Sequence, residues 1–259
     1  VKQHSIKALL DRGESVRVMS VGAFPSPKLI EIAGMTGDYH GIWIDQEHSA
    51  VSHEQMELLL LACRATGMDA FARVPPTDYP TLMRPMETGC SGVMIAQVRS
   101  VDQVKQALQW VKYPPVGVRG LFLNNVEAGY GTRPAAEQVE RANSERWLSV
   151  QIETVEALDR VRDLLALEGV DMLFVGPADL SCALGVPGQV LHPRCVEALR
   201  SVSQACRDAG KPWGTLSRTR EHAECARDLG CQLFSIGGDL DLIRRGLDQT
   251  RNVFGDLLG

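Results

Sequence analysis

Short apolar runs recur along the chain, and most are followed by a stretch with helical periodicity. The runs are Val16–Gly22, Gly41–Asp45, Ala70–Val74, Gly92–Ala96, Leu148–Ile152, Asp171–Val175, Pro212–Leu216 and Leu233–Ile236. Most are nearly continuous rather than alternating in polarity. That pattern predicts strands buried on both faces, as in a parallel sheet covered by helices. Between them, His53–Thr66 has an apolar face, with Ser52 as its N-cap and Gly67 as its stop. Further helices are predicted over Val101–Val111, Val155–Leu167, His192–Ala209 and Thr219–Leu229. Eight strands, most with a following helix, fit a closed (β/α)8 barrel, the TIM barrel of the α/β class, better than an open sheet.

One segment breaks the rhythm. Tyr113–Glu145 is rich in Gly, Pro and Asn and too long for an ordinary connection. It is expected to pass over the barrel mouth, to close over a bound molecule, and to end in a short helix near Ala135–Asn143. No composition shift marks a second domain, so residues 1–259 are expected to form one barrel domain.

Composition narrows the function classes. Acidic and basic residues are interspersed and the net charge is −5. Without a basic patch carrying interleaved aromatics, nucleic acid is not an expected partner. The seven cysteines are odd in number and contain no C-x-x-C pair, which suits reduced thiols in a cytoplasmic protein. Val1–Leu10, with Lys2, His4 and Lys7, does not have the pattern of a signal peptide, and no apolar run is long enough to span a membrane.

In a barrel of this kind the chemistry sits at the C-terminal ends of the strands. Charged and polar residues collect there: Asp45-Gln46-Glu47-His48, Arg73, Gln151-Ile152-Glu153 and Gly176-Pro177-Ala178-Asp179. Glu153 and Asp179 follow consecutive strands, about 4.8 Å apart, so both carboxylates could reach one ion. Oxygen ligands of this kind suit Mg²⁺ or Mn²⁺. The competing structural reading is that each carboxylate caps or salt-bridges the helix after it. Gly176-Pro177-Ala178-Asp179 would present free backbone N–H groups to an anion. Asp45 and His48 could form an orienter–base pair, against the plainer reading of His48 as a surface cap. Arg73, ending a buried strand, requires an anionic partner from the protein or a ligand.

Five segments in order carry a family resemblance: Trp43–His48, Ala72–Pro75, Tyr113–Gly120, Gln151–Thr154 and Gly176–Ser181. Together they resemble the HpcH/HpaI class II pyruvate aldolases, over about Val16 to Ile243. The resemblance implies an aldolase that reversibly cleaves a 4-hydroxy-2-oxo acid into pyruvate and an aldehyde through a metal-held enolate. Glu153 and Asp179 would bind the metal (Mg²⁺ or Mn²⁺, with Co²⁺ a further candidate) and Gln151 would sit beside it. Gly176, Pro177, Ala178 and Asp179 would hold the substrate carboxylate. Arg73 would stabilise the enolate, and His48, oriented by Asp45, would move protons. No Schiff-base lysine is needed, and Lys28, Lys105, Lys112 and Lys211 lie outside the strands. The family also implies a homo-oligomer, a hexamer built as a trimer of dimers. The tail Asp239–Leu258 would pack on a neighbour, and Glu87 would approach the adjacent subunit's site, where Asp is more usual.

Departures from the family cluster where the aldehyde should bind. Met19–Ala23 lacks an expected Trp, Gln46 replaces a commoner Gly, and Trp213 and Arg218 are unfamiliar. The alternatives are an oxaloacetate decarboxylase or acyl-CoA lyase on the same site, or a barrel that binds without catalysis. Gly237-Gly238-Asp239 could instead offer backbone donors to a phosphate, or simply turn the chain.

Overall fold

The computed structural model describes residues 5–258, so Lys2 and His4 lie outside the described residues. Its strands are β1 (Val16–Val21), β2 (Gly41–Asp45), β3 (Asp69–Val74), β4 (Gly92–Ile95), β5 (Trp147–Ile152), β6 (Val170–Val175), β7 (Trp213–Ser217) and β8 (Leu233–Gly238). All neighbours are parallel, and β1 pairs with β8, closing the barrel in sequence order. The helices are α1 (Ile6–Asp11), α2 (Pro27–Thr36), α3 (His53–Thr66), α4 (Tyr79–Thr88), α5 (Val101–Val111), α6 (Ala135–Glu145), α7 (Val155–Leu158), α8 (Val161–Leu165), α9 (Pro177–Ala183), α10 (Pro193–Ala209), α11 (Arg220–Asp228) and α12 (Asp239–Leu258). No helix among the described residues is long and apolar enough to cross a membrane.

The two faces of each strand serve two cores. Ile42, Ile44, Ala70, Ala72, Val74, Leu148, Val150 and Ile152 pack outward against the helices. Trp43, Phe71, Met94, Trp147, Met172 and Phe174 point inward and fill the barrel, with Ile6, Leu9 and Leu10 of α1 in the same cluster. Side chains alternate along a strand, so the inward row of β3 continues from Phe71 to Arg73, and that of β5 from Trp147 to Gln151. The interior is therefore apolar below and ionic at the C-terminal rim. Gly92 pairs with Trp147 in register, and a Cβ there would lie 2.1 Å from the indole ring, so the missing side chain is what admits the tryptophan.

Two expectations require correction. The helix expected over Val155–Leu167 is two short ones, because Arg160 leaves helical geometry (φ −115°, ψ 17°) after its N–H bonds to Ala157 O. Helices α2, α4 and α9 carry prolines in their first turns, where Pro27, Pro80 and Pro177 occupy positions that need no N–H donor. Segment 113–145 does not pass over the barrel mouth of its own chain. It joins the end of a helix to the start of a strand, a connection that belongs to the opposite face of the barrel. Val118 N bonds to Gln109 O and Arg119 N to Lys112 O, folding the segment back onto α5. Asn143 closes it by pairing through its side chain with both backbone groups of Tyr113. At its centre Glu127, fully buried, takes Arg119 at 2.5 Å and Arg146 at 3.0 Å.

Candidate active site

The C-terminal ends of the strands surround a cavity of about 940 Å³. A larger groove, about 1270 Å³, runs on the outside between α8 and α10, away from the strand ends that carry the conjectured chemistry. Of the residues expected at the site, Asp45, His48, Arg73, Gln151, Gly176, Pro177, Ala178 and Asp179 line the central cavity together.

Arg73 is the organising cation. Asp45 and Arg73 are direct partners in the β2–β3 register and face the same side. The Asp45 carboxylate accepts from Nε at 3.0 Å and from Nη2 at 2.6 Å. Glu47 Oε2 adds an ion pair to Nη1 at 3.2 Å, and the Trp43 ring lies 4.8 Å from the guanidinium carbon. Two of the five guanidinium N–H groups are bonded to Asp45, and the Glu47 contact is an ion pair without hydrogen-bond geometry, leaving three for a ligand. Burial pushes the Asp45 carboxyl up, but the hydrogen bond and charge of Arg73 outweigh it and hold the group below the ordinary carboxylate value.

Asp45 does not orient the His48 ring. Its Oδ1 accepts the backbone N–H groups of Glu47 and His48, and both oxygens are engaged by Arg73, so its partners fix the turn and not the imidazole. The acid beside the ring is Glu47, 3.7 Å from Nε2. His48, with 60 % of its side chain exposed, stands free at the cavity edge. Gln46, the departure in this motif, ties the same turn down by donating to Val51 O at 3.1 Å.

Across from Arg73, Glu153 is 1 % exposed. Gln97 holds it by donating its backbone N–H to Oε1 at 2.7 Å, from a left-handed conformation (φ 51°) uncommon outside glycine. Gln151 donates through Nε2 to the other oxygen of Glu153. Burial, reinforced by the nearby charges of Glu47 and Asp179, pushes the Glu153 carboxyl up to about 7. Burial likewise raises Glu47, with Asp45 and Asp179 adding to it against Arg73 and His48. Gln151 Oε1 is buried without a hydrogen-bond partner. A Cβ at Gly176 would lie 2.6 Å from both Gln151 Nε2 and Glu153 Oε2, so glycine is needed for this approach. Gly176 opens α9 without a side-chain cap, which leaves first-turn backbone donors free beside Asp179.

The donor set fits a hard divalent cation. Carboxylate oxygens of Glu153 and Asp179, close enough that the Asp179 charge raises the Glu153 carboxyl, accompany an unpartnered amide oxygen. Among the described residues no cluster of three His, Cys, Asp or Glu side chains is gathered as a closed ligand cage. Water and ligand oxygens would complete such an ion.

Glu87 does not line the central cavity. It lies in a separate surface cavity with His53, Arg84, Phe122 and Tyr130, and burial raises its carboxyl. The lysines are also away from the centre: Lys112 Nζ donates to Asn143 O and Arg146 O, and Lys211 Nζ to Leu165 O and Leu167 O. The Gly237–Gly238 pair turns the chain, with Gly237 at φ 76°, and Asp239 Oδ2 accepts the N–H groups of Gly22 and Phe24. Sequence reasoning assigned no role to Glu47 and Gln97. Glu47's place within the strand-end acidic motif was a usable signal, whereas Gln97 acts through its backbone and left none.

The sequence profile of the HpcH/HpaI aldolase/citrate lyase family matches residues 21–245. A hydroxypyruvate/pyruvate aldolase from Sagittula stellata is 31% identical over 85% of this chain and 86% of its own. A 5-keto-4-deoxy-D-glucarate aldolase from Klebsiella pneumoniae is 28% identical over 90% of both chains. The crystal structure of an HpcH/HpaI aldolase from Desulfitobacterium hafniense DCB-2 superposes with a TM-score of 0.92 at 27% identity, covering 99% of this chain and 98% of that one. The chain belongs to the HpcH/HpaI aldolase/citrate lyase family of carbon–carbon lyases.

Proposed function

We propose that the chain cleaves and forms the bond between C3 and C4 of a 4-hydroxy-2-oxo acid, exchanging it with pyruvate and an aldehyde. One observation carries this reading: a cationic Arg73, fixed by Asp45 and Glu47, shares a cavity with the oxygen-donor group of Gln151 and Asp179, backed by Glu153. The two aldolase relatives are named for oxo acids, which accords with it.

In the cleavage direction a base removes the C4 hydroxyl proton. The C3–C4 pair then moves to C3, giving the pyruvate enolate, and the aldehyde leaves. A proton returned to C3 completes the pyruvate methyl group. The uncommitted N–H groups of Arg73 suit the enolate oxygen, a stabilisation confined to the charge that develops during reaction. His48, exposed and beside Glu47, suits proton transfer with the substrate. The free N–H groups at the start of α9 suit the substrate carboxylate. A divalent cation such as Mg²⁺, Mn²⁺ or Co²⁺, held by Glu153 and Asp179 beside Gln151, would supply Lewis-acid polarisation of the 2-oxo group when bound. The free, mostly buried thiols suit a reducing compartment such as the cytoplasm.

Exchange of the pyruvate methyl protons with deuterated water, followed by NMR, tests this without knowledge of the aldehyde. Exchange should require one of the three metals and stop with EDTA. Glu153→Ala should abolish it, and Arg73→Ala should slow it about 10²–10³-fold, as expected for loss of an oxyanion donor. A folded protein that exchanges nothing with any of the metals would overturn the proposal.

A further inference from the structure

The end of the cavity farthest along the chain contains a polar group that enolate chemistry does not use. His222, in the first turn of α11, lines the cavity yet is only 2 % exposed. Its Nδ1 lies 3.0 Å from Ser217 Oγ, at the end of β7. Its backbone N–H bonds to Thr219 Oγ1, the cap of the same helix, so both ring and backbone are held. Its Nε2 is buried and has no hydrogen-bond partner. An imidazole nitrogen in that state loses its hydration without recompense unless a ligand restores the bond. Burial, with no charged neighbour contributing, holds the ring below the ordinary histidine value, favouring its neutral form.

The lining of the same cavity includes the apolar side chains of Val190, Leu216 and Leu240. Arg218 is more exposed, in a loose 3.8 Å pair with Asp241. We propose that His222, positioned by Ser217, is a specificity residue that hydrogen-bonds a hydroxyl group on the aldehyde half of the substrate. The preferred aldehyde is accordingly a short hydroxyaldehyde. The Ser217 contact permits either tautomer, leaving Nε2 as donor or as acceptor. A hydroxyl satisfies both cases, whereas a carboxylate satisfies only the first and an ammonium only the second. The apolar wall suits the carbon skeleton next to that hydroxyl.

This inference rests on the proposed aldol reaction, and the test separates the two. The probes are glycolaldehyde and acetaldehyde, which differ by one hydroxyl, each condensed with pyruvate and the activating metal. The wild type should favour glycolaldehyde in kcat/KM. His222→Phe should reduce that preference by about tenfold or more, through loss on the glycolaldehyde side, as when a hydrogen-bonding pocket loses its partner. His222→Gln, which keeps a polar group, should retain part of it. If the phenylalanine variant does not fold, as judged by thermal unfolding, Ser217→Ala carries the test and should reduce the preference at least about threefold. A preference unchanged in the folded variants overturns the inference. A wild type that exchanges pyruvate protons but does not distinguish the two aldehydes overturns it and leaves the aldol proposal standing. A wild type that exchanges none overturns both.

Discussion

Asp45 gives its carboxylate to Arg73, not to histidine, and this changes what its substitution should do. Asp45→Asn keeps the size but removes the charge that fixes the guanidinium. We expect proton exchange of pyruvate to slow by about 10–100-fold, the upper part of the range for a charge-assisted hydrogen bond lost at a site, with Glu47 retaining part of the orientation. A slowing as large as that of Arg73→Ala would mean that Asp45 itself acts on the substrate. Gly176→Ala tests the opposite wall. Its Cβ would overlap both Gln151 Nε2 and Glu153 Oε2 at 2.6 Å, so exchange should be lost while circular dichroism stays that of a folded barrel. Much of this site was legible from residue types at the ends of apolar runs, because strand alternation carries Arg73 and Gln151 to the rim. The Asp45–Arg73 pairing was not, since it depends on the register between β2 and β3, which no single strand encodes. His222 was hidden for a related reason: in sequence it is one polar residue among several on a short, mostly charged helix.

Helices with a clear stop or cap signal were legible in the chain. α3 runs from its Ser52 capping box to a left-handed Gly67, and α5 begins with a second capping box at Ser100. α4 was not legible because it contains two prolines, Pro80 in the first turn and Pro85 inside, which sequence rules treat as breaks. The connection from α5 to β5 was misplaced for want of its contacts. Its glycines and prolines suggest a mobile cover, yet its middle is anchored on a buried ion-pair hub. Arg119 also lies over Tyr113, its guanidinium carbon 4.6 Å from the ring centre. Arg119→Ala would leave Glu127 short of one of its two cations in a fully buried setting. The expected cost is about 3–5 kcal/mol of stability, the range for a broken buried pair, seen as a lowered urea midpoint. Pyruvate proton exchange in the surviving folded protein should be unaffected, because this hub lines no part of the central cavity.

At the scale of the whole molecule, α12 carries apolar side chains that one chain leaves uncovered. Leu247, Val253, Phe254 and Leu257 are all exposed. Such a helix is expected to pack on a second copy. Light scattering should therefore give a mass that is a multiple of 28.3 kDa. Phe254→Glu together with Leu247→Glu should shift the mass towards a single chain, and a wild type already monomeric at micromolar concentration would refute this. The closed barrel itself was readable from the chain, since eight apolar runs are enough to close one. Subunit arrangement was not, because an exposed apolar stripe does not specify its partner.

The order in which the cavity is assembled along the chain has a further consequence. Asp45, Arg73, Gln151, Glu153 and Asp179 precede the end of α9, whereas Leu216, Arg218, His222 and Leu240 follow it. A single genetic crossover in the turn after α9 would join the proposed bond-making machinery of one ancestor to the proposed aldehyde wall of another. The β1 rim, from Ser20 to Ala23, and the turn after β2, with Ser49 and Ala50, would be carried over with the first half. A lineage built this way can acquire a new co-substrate by recombination in one event, without first passing through variants whose enolate chemistry is impaired.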